Sequence, residues 1–85
     1  MNLKEILETL VNGIVQTEDM VIVNESDGEV LHGKETIHYL IKVKKEEFSL
    51  LVGKGGSTIK ALRTIMSKLA GKQKKMVFVD LDEEK

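Results

Sequence analysis

Leu51-Val52-Gly53-Lys54-Gly55-Gly56-Ser57-Thr58-Ile59-Lys60-Ala61-Leu62-Arg63 decides how this chain is read. Two apolar residues run into a tight turn bracketed by Gly53 and Gly56, and the chain leaves that turn directly as a basic amphipathic helix. Glycine at both ends accepts left-handed dihedrals and lets another backbone approach closely. The helix aims its first N–H groups and its partial positive charge at the same place, where Lys54, Lys60 and Arg63 add full charges. What such a turn accommodates is a sugar-phosphate backbone.

A glycine turn with a lysine also raises a nucleotide-binding loop. That loop needs a longer glycine bow closed by Gly-Lys followed at once by Ser or Thr, so that the lysine reaches the terminal phosphates and the hydroxyl holds magnesium. Here the order is Gly56-Ser57-Thr58, with no lysine before the hydroxyl. Ser57 and Thr58 have no histidine near them in sequence to act as a base, so capping is the better role, with Ser57 as N-cap. No enzyme is expected, and no cofactor.

The chain has 85 residues, 41% hydrophobic and 32% charged, which reads as one domain over residues 1–85 with a small core. It contains no cysteine, hence no disulfide and no thiolate metal site; His32 and His38 alone make no metal cluster. Acids interrupt the N-terminal apolar run early, so neither a secretory segment nor a membrane span is expected, and a cytoplasmic protein is the default. The net charge of −1 hides a strong asymmetry. Lys42 to Lys75 holds ten basic residues and two acidic ones, against two basic and eight acidic before it and one basic and four acidic after it. A basic block beside a glycine turn is the electrostatic footprint of a nucleic-acid binder, whereas the block alone would read as a solvated face.

Around the turn the elements follow from periodicity. Leu3, Ile6, Leu7, Leu10, Val11, Ile14 and Val15 recur at helical spacing, with Gly13 marking an early end or a close contact. Met20 to Val23 is a β-rich run, followed by turn chemistry at Asp27-Gly28 and a loose stretch from Glu29 to Glu35. From Thr36 to Lys44 a strand puts Ile37, Tyr39, Ile41 and Val43 on its core face and His38 on the other. Glu46 to Val52 makes a short helix into the turn. In the next helix Ile59, Leu62, Ile65, Met66 and Leu69 form the buried stripe, and Gly71 suits its end. Met76 to Leu81 is the last strand and Asp82 to Lys85 a solvated tail.

The pattern apolar-apolar-Gly-x-x-Gly-x-x-Ile-x-x-Leu, on Val52, Gly53, Gly56, Ile59 and Leu62 with Lys54 in the variable loop, resembles the KH-domain signature. A strand-helix-loop-helix-strand core preceded by a helix and a strand resembles the type II KH arrangement. In length and layout the chain is similar to the small bacterial single-KH proteins of the KhpA family. The connection from Glu25 to Glu35 is longer than a minimal member needs.

The resemblance implies an α+β fold, a single type II KH-like domain with a three-stranded sheet packed on helices. It implies a non-catalytic RNA-binding function in which the GXXG loop holds about four nucleotides of single-stranded RNA at low sequence specificity. Site residues carried over on that basis are Val52, Gly53, Lys54, Gly55, Gly56, Ser57, Ile59, Lys60 and Arg63. The main-chain N–H groups from Gly53 to Gly56 would meet phosphates, Lys60 and Arg63 would follow the same backbone, and Val52 and Ile59 would floor the groove, with core packing an equal role for Ile59. With only Tyr39, Phe48 and Phe78 aromatic, a stacking platform is not expected. The resemblance also supports a second reading, a protein-interaction adaptor that forms a homodimer or docks a larger KH-domain partner protein.

Overall fold

The computed structural model describes residues 2–15, 20–25 and 28–84. The chain forms α1 (Leu3–Asn12), β1 (Met20–Asn24), β2 (Val30–Leu31), β3 (Lys34–Lys44), α2 (Lys45–Val52), a 3-10 turn (Lys54–Gly56), α3 (Ser57–Lys72) and β4 (Lys75–Glu84). The expected α+β order is present.

Local chemistry sets the boundaries. Asn2 caps α1: its Oδ1 accepts the Glu5 N–H at 2.8 Å while its Nδ2 donates to Glu5 Oε1 at 2.9 Å. Leu3, Leu7 and Val11, four apart, are the residues α1 buries, and the helix ends at Gly13. β2 and β3 form a hairpin absent from the sequence reading, closed by His32 (φ 52°) and Gly33 (φ 76°). Two positive φ values in a two-residue loop match the twist of paired strands. Histidine stands here in place of the usual Asn or Asp, so the local sequence carries a weak turn signal. Asp27 lies outside the described residues.

β3 is the centre of the sheet. Along one edge it pairs antiparallel with β1, in register from Met20↔Val43 to Asn24↔Tyr39, and with β2 at Val30↔Glu35 and Leu31↔Lys34. Along the other it pairs parallel with β4, from Glu35↔Lys75 to Lys44↔Glu84. The three expected strands are therefore joined by a two-residue fourth. The helical crossover from β3 through α2 and α3 makes the parallel pairing possible, since a short hairpin cannot.

The core lies between the sheet and the helices. Ile37, Tyr39, Ile41 and Val43 of β3 are buried as expected, with Ile22, Val77 and Val79 beside them and Leu7, Val11, Leu51, Leu62 and Met66 above. Three expectations are corrected. The α3 stripe is Ile59, Leu62, Met66 and Ala70; Ile65, roughly 100° round the helix from that stripe, is exposed. Gly71 does not stop α3, which continues to Lys72 and is closed by Gln73 and a left-handed Lys74 (φ 58°). The acidic tail is strand rather than solvated chain up to Glu84, because β3 extends far enough to pair with it and sets Lys42 opposite Asp82. Lys85 is outside the described residues.

Candidate functional site

α2 ends at Gly53, whose N–H reaches Ser49 O at 2.9 Å. There the chain takes φ 75° and ψ 174°, a region open essentially to glycine alone. A Cβ on Gly53 would also stand 2.7 Å from Thr58 N and Cβ and closer still to Thr58 Oγ1. Gly55 (φ 61°, ψ 21°) and Gly56 (φ 80°, ψ 14°) are left-handed, and a Cβ at Gly55 would meet open space. The turn is thus packed against its own helix on the inside and bare on the outside.

One detail of the amide geometry is corrected. The N–H of Gly53 is bound within α2, that of Gly56 donates to Gly53 O at 3.1 Å, and that of Ser57 donates to Lys54 O. These groups close the turn and do not face outward. Ser57 is the first residue of α3, not its cap; Gly56 holds the cap position, and no side chain caps this helix. An uncapped N-terminus leaves N–H groups and a partial positive charge for an incoming anion. Lys54 is exposed at the tip, and Lys60 folds back so that its Cε would lie 3.8 Å from a Cβ on Gly56.

The other site residues separate. Val52, the last residue of α2, is half-buried, whereas Ile59 is in the core cluster at 7% exposure, which favours its packing role. Arg63 does not run beside Lys60 along the turn. Its Nε donates to the carbonyl of Val79 at 2.8 Å and its Nη2 lies 3.4 Å from Asp80 Oδ1. Among the described residues β4 pairs with β3 alone, and Arg63 reaches the strand's other edge at Val79.

That edge and α3 enclose a shallow groove. One part, about 270 Å³, is lined by Arg63, Ser67, Val77, Phe78, Val79 and Asp80. It continues past Gly71 toward Lys34 and Lys75. Phe78 stacks on His38 with ring centroids 4.9 Å apart and planes 18° from parallel, yet stays 40% exposed. Val77 and Val79 face the helices, so this partly exposed ring lies at the edge of β4 on the opposite face of the sheet. Phe78 and Asp80 could not be tied to the glycine turn from sequence, because their nearness to α3 depends on the parallel register of β4. Among the described residues no group of three or more potential metal ligands occurs, and no helix is long and apolar enough to cross a membrane.

Residues 4–81 match the family model for the KhpA/KhpB KH domain. The chain is similar to an RNA-binding protein KhpA of Thermotoga maritima, 39% identical over 89% of this chain and 95% of the relative. It is also similar to one of Caldanaerobacter subterraneus, 34% identical over 91% of this chain and 96% of the relative. A third, from Chlamydia pneumoniae, is 31% identical over 98% of this chain and 100% of the relative. No solved structure matches the chain.

Proposed function

The chain belongs to the KhpA/KhpB family of KH-domain proteins, a non-enzymatic family, and from that premise we propose that it binds single-stranded RNA through its GXXG turn. The observation that carries the reading is the uncapped N-terminus of α3 at the end of a turn bare on its outer side, with Lys54 and Lys60 beside it. The amides of Lys54 and Gly55 and the opening of α3 receive phosphates. Lys54 and Lys60 follow the backbone, and the bases lie along the groove between α3 and the open edge of β4, while half-buried Val52 at the end of α2 offers an apolar surface beside the turn. Gly53, Gly56 and Ser57 act by shaping the turn, Ile59 by anchoring α3 beneath it, and Arg63 from the base side of the groove.

In this reading residues 1–85 act as one domain of the type II KH form, an assignment supported by the order of elements, and work in the cytoplasm. Backbone contacts position a strand without reading it, so sequence specificity is low. Fluorescence anisotropy with a labelled single-stranded hexamer and the same length of duplex tests the reading. Binding of the single strand with duplex at least tenfold weaker is expected; equal binding of both contradicts it.

One observation favours the adaptor reading as a companion function: among the described residues β4, ten residues long, pairs with β3 alone, and Arg63 takes just the Val79 carbonyl of its other edge. An open edge invites another strand. Light scattering across a concentration series separates a monomer from a homodimer, and a larger KH-domain partner would compete for the same edge.

A further inference from the structure

We propose that the pocket at the open edge of β4 reads one base of the bound strand as guanine, with Asp80 and Arg63 as its specificity-determining residues. The inference rests on the RNA-binding reading above and names what one position of that RNA contains. Three observations meet in the pocket. Phe78, stacked on the His38 ring on the sheet face opposite the core, leaves its ring partly exposed at the edge of β4, on the same strand face as Asp80. A base laid on an aromatic face gains sequence-tolerant affinity. Arg63 is held by Nε on the Val79 carbonyl, which fixes the guanidinium plane and leaves its remaining N–H groups as donors. Asp80 Oδ1, 3.4 Å from Arg63 Nη2, adds an acceptor-only group to the same pocket.

A carboxylate here makes no sense as a phosphate seat, since it repels the backbone that the lysines attract. It also contributes little to stability: the Arg63 and Asp80 side chains are 48% and 68% exposed, and pairs that open to water are weak. Their combination does suit a base edge. Guanine carries adjacent N1–H and N2–H donors for a carboxylate and the O6 and N7 acceptors that arginine takes. Adenine and cytosine offer the carboxylate one exocyclic amino group each, and uracil a single ring N–H, so each gives Asp80 one contact where guanine gives two. About 270 Å³ is below the roughly 300 Å³ of typical small-molecule sites and suits a single planar base.

The test measures anisotropy of the full chain with hexauridylate and with hexamers carrying one guanosine, adenosine, cytidine or inosine at an internal position. Guanosine should improve affinity about tenfold over uridine, the discrimination expected of one good paired contact, and inosine, which lacks the N2 amino group, should fall between. Asp80→Asn, at an exposed side chain, should reduce the guanosine preference to within about twofold, with the loss of affinity falling on the guanosine hexamer. Equal binding of all hexamers by the wild type overturns the inference and leaves the RNA-binding reading standing. Parallel weakening of every hexamer by Asp80→Asn, with the preference kept, also overturns it by making Asp80 a structural residue. Binding of no hexamer removes both readings.

Discussion

Thr58 occupies the space that a side chain at Gly53 would need: its backbone N and its Cβ lie 2.7 Å from where a Cβ on Gly53 would stand. The first glycine of the turn is therefore required by packing against the opening of α3, besides its positive φ. Gly53→Ala should cost about 2 kcal/mol or more, given an essentially glycine-only conformation and the overlap. At about 4 to 8 °C per kcal/mol for a domain of this size, thermal melts should shift down by at least about 8 °C. Gly55→Ala, in the left-handed region with open space around it, should cost only about 1 to 2 kcal/mol. Equal melting points for the two variants would contradict the packing role of Thr58.

The tip of the turn can carry charge without refolding. Lys54→Asp with Gly55→Asp changes the loop by three charge units, and Asp tolerates the left-handed conformation that Gly55 adopts. At roughly 1 kcal/mol per contact in water, RNA binding should fall about tenfold to a hundredfold with an unchanged circular dichroism spectrum. Undiminished affinity would take the turn out of the mechanism.

Much of this was legible in the residues. The turn, its flanking helices and the core face of β3 follow from glycine spacing and from periods of two and 3.6, which act locally. What was not legible depends on register. The approach of Arg63 to Val79 and Asp80 exists only because β4 runs parallel to β3, and nothing in the local sequence of Met76 to Leu81 states that direction. The acidic tail from Asp82 reads as solvated for the same reason: the strand that pairs with it up to Glu84 lies forty residues earlier in the chain.

Thr36 is buried at 1% exposure, and its hydroxyl is without a hydrogen-bond partner among the described residues. A buried hydroxyl left unpaired costs about 1 to 3 kcal/mol, and valine has nearly its shape. Thr36→Val should hold or raise stability, by up to about 2 kcal/mol in urea unfolding. A clear loss would mean that the hydroxyl is satisfied in solution.

Tyr39 is the chain's one tyrosine, and burial raises its phenol above the ordinary value of 10.0. Above that pH the unfolded chain releases the proton while the folded chain keeps it, so the native state binds more protons and stability falls as pH rises. This contribution is fully present below pH 10.0 and is lost as pH climbs through the raised folded value. Phenolate absorbance, followed with and without urea, should show ionisation at lower pH in the unfolded protein; coincident titrations would contradict the burial of Tyr39.

Salt reports how many phosphates the turn and its lysines neutralise. With about three or four contacts on a single strand, log K against log salt should slope near −2 to −3. A slope near zero would mean that the basic block does not touch the backbone.

The most direct measurement is an amide NMR titration of the full chain with a short single-stranded RNA at low ionic strength. Expected is a set of shifts concentrated on Lys54, Gly55 and the opening of α3 and extending along Arg63 to Val79 and Asp80, with α1 and β1 unmoved. Resonances from Gly53 to Arg63 that stay in place while RNA is added in excess would contradict the binding role assigned to the turn.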